Sequence, residues 1–159
     1  MGLLRDLTEE YLGSLRYVSE IPRDIELELG LSDITALIGP RRVGKTFTML
    51  RSVEKLRKAG EQALYISFDE LQLRRIDARK LAEMAREEYP RGRIHLFLDE
   101  VQEWLDWDAK LRWLHDVGDF YLYVTGSSSA LQSSEIPSRL RGRYISKLLL
   151  PLSFREVSG

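Results

Sequence analysis

The segment GPRRVGKT, residues 39–46, constrains this chain more than any other stretch. An apolar run, residues 34–38, precedes it behind polar Ser32 and Asp33, as a buried strand would. After it, Phe47, Leu50, Val53 and Leu56, with Glu54 among them, begin a pattern with apolar residues on one helical face. A strand that turns through glycines into a helix is the setting in which G-x-x-x-x-G-K-[ST] wraps a phosphate group. Gly39 and Gly44 allow the tight turn, so that successive backbone N–H groups converge on one anion, and the helix adds its positive N-terminal end. Lys45 is then placed to reach the outer phosphates as a point charge, and the Thr46 hydroxyl to ligate an accompanying Mg²⁺. The nucleotide contacts expected from this segment are Gly39, Pro40, Arg41, Arg42, Val43, Gly44, Lys45, Thr46 and Phe47.

A length of 159 residues suits one domain with a sizeable core, and 43% hydrophobic with 31% charged residues is a globular composition. The net charge of −1 gives no general argument for nucleic acid or an anionic membrane as partner. Residues 138–159 are locally basic, however, with Arg139, Arg141, Arg143, Lys147 and Arg155 against Glu156 alone. That stretch is either a cationic docking surface or a solvated face. The absence of cysteine excludes disulfides and thiolate metal sites. No apolar stretch approaches the roughly 18 residues of a membrane span, and the N-terminus lacks a secretory pattern, so the expected location is cytoplasmic.

Strand-like and helix-like segments alternate along the chain. The spacing of Leu7, Tyr11, Leu15 and Val18 predicts a helix over 7–18, with Asp6 or Thr8 as its cap. Further strands are expected at 63–68 (ALYISF), 94–98 (IHLFL), 120–124 (FYLYV) and 144–150. Ala59-Gly60 ends the helix that follows the phosphate loop, residues 71–89 form a charged helical stretch in two pieces, and Trp107, Leu111 and Leu114 share a helical face. Such alternation argues for an α/β fold, a parallel sheet covered by helices on both faces. His95 and His115 lack neighbours at metal-ligand spacing and read as a strand and a helix-surface residue. Trp104, Trp107 and Trp113 read as packing residues, with an aromatic platform for bases or a partner as the alternative.

Asp99-Glu100 closes the strand at 94–98, the end at which open parallel sheets place their ligand crevice. Two adjacent carboxylates there repel one another unless a divalent cation takes one of them. Asp99 is accordingly assigned to Mg²⁺ and Glu100 to the attacking water. At the same edge Thr125-Gly126-Ser127-Ser128 forms a hydroxyl cluster, in which Ser127 contacts the γ-phosphate or the water; a turn or helix cap is the equal alternative.

GPRRVGKT, FLDEVQEW, VTGSSS and LRGRYISKLLLPLSFREV, in that order, together resemble the AAA-type P-loop ATPases widespread in archaea and bacteria, over residues 21–157. The resemblance implies a three-layer P-loop fold with a five-stranded parallel sheet, order 5-1-4-3-2, in which the strand beginning at Phe120 lies between the phosphate-loop strand and the Asp99 strand. It implies ATP and Mg²⁺ as ligands, Ser127 as a sensor, and Arg143 or Arg141 of LRGR as an arginine completing the site, from a neighbouring subunit or a mobile segment. It implies less specifically that Ile21-Pro22-Arg23 flanks the adenine. Residues 1–159 are thereby one ATPase domain, with 1–33 as N-terminal helix and lead-in. A helical lid and a C-terminal domain, usual in the family beyond the PLSF segment, are not in this sequence, which leaves open a fragment or a reduced protein. The function expected is Mg²⁺-dependent hydrolysis of ATP to ADP and phosphate, coupled to a conformational or partner function, with a homo-oligomer, a protein or a nucleic acid as candidate partner. The alternative is a nucleotide-gated binding module with little hydrolysis.

Overall fold

In the computed structural model the described residues are 2–14, 29–39, 44–127 and 144–148. They form α1 (Leu3–Ser14), β1 (Ile34–Ile38), α2 (Lys45–Lys58), β2 (Ala63–Ser67), α3 (Ala78–Glu88), β3 (Ile94–Asp99), α4 (Trp107–Val117), β4 (Phe120–Gly126) and β5 (Tyr144–Leu148). Short 3-10 turns at Leu71–Leu73 and Val101–Glu103 follow β2 and β3.

The strands β2, β3, β4 and β1 lie side by side in that order, all parallel, and β5 pairs in parallel along the other side of β1. β4 therefore sits between the phosphate-loop strand and the Asp99 strand, as the family resemblance implies. Every residue of β1, β2 and β3 is buried, which is why these strands read as near-continuous apolar runs. The residues alternate between two layers. Ile34, Ile38, Leu64, Ile66, Leu96, Leu98 and Val124 face α3 and α4, meeting Leu81, Leu111 and Leu114. Leu37, Tyr65, Phe97 and Tyr123 face α2, meeting Met49, Leu50 and Val53. Each large aliphatic side chain so buried contributes roughly 1.5–3 kcal/mol.

The opening helix starts earlier than its apolar spacing suggests, at Leu3 rather than residue 7. Thr8 and Asp6 consequently lie inside it and neither is its cap. Thr8 serves the sheet instead. β2 is an edge strand, and Thr8 Oγ1 accepts the Tyr65 N–H at 2.9 Å and lies 3.1 Å from the Tyr65 carbonyl oxygen. The Arg57 Nε–H bonds the Ala63 carbonyl at 3.1 Å, so backbone groups that an open edge would present for pairing are taken. Trp104 is buried, stacks on Phe68 with ring centres 4.7 Å apart and donates its indole N–H to Ile76 O, which makes it a core residue. No helix among the described residues is long and apolar enough to cross a membrane.

Candidate functional site

Two strand ends and one helix start converge at the C-terminal edge of the sheet. β1 runs into Gly39, whose N–H donates to Gly126 O at the end of β4 (3.3 Å). Gly44 begins α2 with φ 92°, a left-handed conformation that an ordinary side chain adopts only at a cost. Its carbonyl accepts from Thr48 N, the first turn of α2, and from the Thr48 hydroxyl. Lys45 follows, with its ammonium 2.6 Å from Gly39 O and 2.7 Å from Gly126 O, so the lysine spans the two strand ends. Phe47 lies half-buried on the next turn, with the Arg51 guanidinium 5.7 Å from its ring centre. Pro40, Arg41, Arg42 and Val43 lie outside the described residues, as do Ser128, Arg141, Arg143 and residues 21–23.

Asp99 is the last residue of β3, one residue further into the strand than its apolar run indicates. Its carboxylate is ringed by three neutral hydroxyls. Thr46 Oγ1 donates to Oδ2 at 2.6 Å, the Tyr65 hydroxyl donates to the same oxygen, and Thr125 Oγ1 donates to Oδ1. Burial, and then the Asp99 charge, push the Tyr65 hydroxyl far above the tyrosine range, so it stays protonated and remains a donor. Lys45, Asp99 and Glu100 are 3%, 2% and 7% exposed, so all three side chains are buried at this edge.

Glu100 leaves the strand with φ 55° and ψ 54°, left-handed for a residue that has a Cβ. Such a conformation persists only where its surroundings enforce it. Here the Glu100 N–H donates to Thr125 Oγ1 at 3.0 Å and its carbonyl accepts from Glu103 N at 3.0 Å. Its carboxylate accepts from Gln102 Nε2 at 2.6 Å. Thr125 thus binds both acids at once, accepting the Glu100 N–H and donating its own O–H to Asp99. Ser127, buried next to Gly126, stands beside the carbonyl that holds Lys45.

The structure therefore brings Gly39, Lys45, Thr46, Asp99 and Glu100 to one edge. Thr125 appears in the sequence only as one hydroxyl of a cluster, and Tyr65 only as a strand residue. The register explains Tyr65. Ser67 pairs with Asp99 and Tyr65 with Phe97, so Tyr65 is a same-face diagonal neighbour of Asp99, within reach of an aromatic side chain. Alternation along ALYISF gives that face, but the pairing register is needed to find the carboxylate.

Thr46 and Asp99 offer oxygen donors alone, a hard set that suits Mg²⁺ bound partly through water. Among the described residues no group of three or more His, Cys, Asp or Glu side chains gathers into a protein-only metal cage. The site fits a cation carried on phosphate oxygens rather than one held by protein ligands throughout.

Residues 32–158 match the AAA domain family. The protein MJ1544 of Methanocaldococcus jannaschii, itself uncharacterised, is 38% identical over 137 residues, which are 86% of this chain and 30% of that protein. An uncharacterised Haemophilus influenzae protein is 29% identical over 129 residues, 77% of this chain and 32% of its own length. The chain spans less than a third of either relative. Among solved structures, Saccharomyces cerevisiae RIF2 superposes with a TM-score of 0.56 at 12% identity, over 99% of this chain and 67% of that one. C. elegans PCH-2 gives 0.51 at 16% identity, over 96% and 43%. At these identities the likeness is one of fold. Sequence match and sheet order agree, and the chain belongs to the AAA domain family of P-loop ATPases.

Proposed function

We propose that residues 1–159 form an ATPase domain that binds ATP with Mg²⁺ and hydrolyses the β–γ bond, coupling turnover to a conformational change or a partner. The observation that carries this reading is the chain of contacts Thr46–Asp99–Thr125–Glu100 at the strand edge that also holds Lys45. Gly39 and Gly44 would flank the bound phosphates, and the Lys45 ammonium would exchange its two backbone carbonyls for phosphate oxygens. Thr46 and Asp99 would hold Mg²⁺, which would neutralise charge on the outer phosphates. Glu100 accepts the proton of the attacking water, its backbone fixed by Thr125 so that the carboxylate starts from one place. Ser127 contacts the γ-phosphate or the water, and Arg143 or Arg141, from this chain or from a second copy in a homo-oligomer, balances the developing charge.

A second reading, a nucleotide-gated binding module for a protein or nucleic acid with little hydrolysis, draws on one contact. Gln102 Nε2 already occupies the Glu100 carboxylate at 2.6 Å, which would restrain the base until that bond breaks. Calorimetry with ATP and Mg²⁺, run beside a phosphate-release assay, separates the two. Binding with release supports hydrolysis, whereas binding with no release at high protein concentration selects the gated module. Loss of binding in Lys45→Ala is expected under either reading, and full binding in that variant would refute both.

A further inference from the structure

Tyr65 is held at three places. Thr8 of α1 meets its backbone, accepting its N–H at 2.9 Å, with the single hydroxyl proton between Leu4 O at 2.7 Å and the Tyr65 carbonyl oxygen at 3.1 Å. Tyr11, one turn along the same helix, packs its ring 4.9 Å from the Tyr65 ring and anchors its own hydroxyl on Glu70 at 2.8 Å. The third place is the Tyr65 hydroxyl, on Asp99 Oδ2, the same oxygen that Thr46 reaches. Leu4, Thr8 and Tyr11 lie on one face of α1 by their spacing, and the helix is seated through buried Leu4 and Leu7. α1 lies far from the phosphate loop in sequence, yet one side chain separates it from the carboxylate assigned to the cation.

We propose that Tyr65 is a positioning residue for the Asp99 carboxylate, and that α1 braces the cation site by gripping Tyr65 through Thr8 and Tyr11. This rests on the assignment of Asp99 to Mg²⁺ above. A carboxylate turned by an outer hydrogen bond presents one oxygen in one direction, and loss of such a partner commonly weakens metal binding about 10–100-fold. Among the described residues the Tyr65 hydroxyl reaches this site at the Asp99 carboxylate. The brace therefore acts on the cation requirement and leaves metal-free nucleotide affinity alone.

The test is a Mg²⁺ titration of the binding of a fluorescent, non-hydrolysable ATP analogue to wild type, Tyr65→Phe and Thr8→Val, with affinity in EDTA measured in parallel. Tyr65→Phe is expected to raise the Mg²⁺ midpoint about tenfold or more, and Thr8→Val to raise it less, both with unchanged affinity in EDTA. An unchanged midpoint in folded Tyr65→Phe overturns the proposal; should that variant not fold, an unchanged midpoint in folded Thr8→Val does so. Equal losses with and without Mg²⁺ also overturn it, because they indicate a general loosening of the domain. A wild-type protein that binds no nucleotide under any condition brings down the nucleotide-site reading itself, and this proposal with it.

Discussion

Replacing Thr125 with valine keeps the volume and removes one oxygen. That oxygen accepts the Glu100 N–H at 3.0 Å and donates to Asp99 Oδ1, and it is fully buried. Without it the Glu100 N–H loses its partner in the interior, at a cost of about 1–3 kcal/mol. The Asp99 carboxylate loses a charge-assisted bond of about 1.5–3 kcal/mol, though Thr46 and Tyr65 still donate to it. The two losses share one atom and do not add fully, so the expected destabilisation is about 3 kcal/mol. For a domain of this size that lowers Tm by roughly 6–12 °C. Thr125→Ser, which restores the hydroxyl, should recover most of the loss. Urea and thermal unfolding of the three proteins measure it. A Thr125→Val protein within 0.5 kcal/mol of wild type, roughly the scatter of ordinary surface substitutions, would show that these contacts do not hold the two acids.

Further expectations concern backbone, charge and ligand. At the left-handed Glu100 position glycine carries no Cβ penalty, so Glu100→Gly should be more stable than Glu100→Ala by about 1 kcal/mol in urea unfolding; the reverse order would contradict the backbone assignment. Burial holds the His95 imidazole below its usual pKa, with Tyr123 OH 2.8 Å from Nδ1. The unfolded state then binds the proton more readily, so stability is full above the ordinary histidine pKa and falls as pH drops from there toward the folded-state value. The slope is at most about 1.4 kcal/mol per pH unit from this group, and it should vanish in His95→Gln; a variant with the same slope refutes the assignment. ATP with Mg²⁺ at a hundredfold excess over Kd should stabilise the wild type by about 2.7 kcal/mol and Lys45→Ala not at all, which differential scanning fluorimetry reads directly.

The sheet was legible because parallel strands buried on both faces write themselves as apolar runs: 34–38 became a strand with those bounds, and 63–68, 94–98 and 120–124 became strands whose ends moved by one or two residues. The turn from β1 into α2 at Gly44, Lys45 and Thr46 was legible from the spacing of glycine, lysine and threonine. Residues 71–89 divided into two helical pieces as expected, the first only a 3-10 turn at Leu71–Leu73 and the second the helix Ala78–Glu88. What the residues hid is what depends on register and on distance in sequence. Thr8 resembles a helix cap until α1 begins at Leu3, and then its hydroxyl oxygen, bonded to Leu4 O, also accepts the Tyr65 N–H at the edge of β2. Tyr65 resembles any strand tyrosine until pairing sets it diagonally from Asp99. Thr125 is indistinguishable from its serine neighbours until β4 is placed next to β3, and only then is it the hydroxyl shared by the two acids.

The central claim, that Glu100 activates water at a site where ATP is bound, is tested most directly by comparing phosphate release and ATP binding in wild type and Glu100→Gln. Equal ATP affinity is expected, with release slowed about 100-fold or more by loss of the base. Equal rates of release in the two proteins would contradict it.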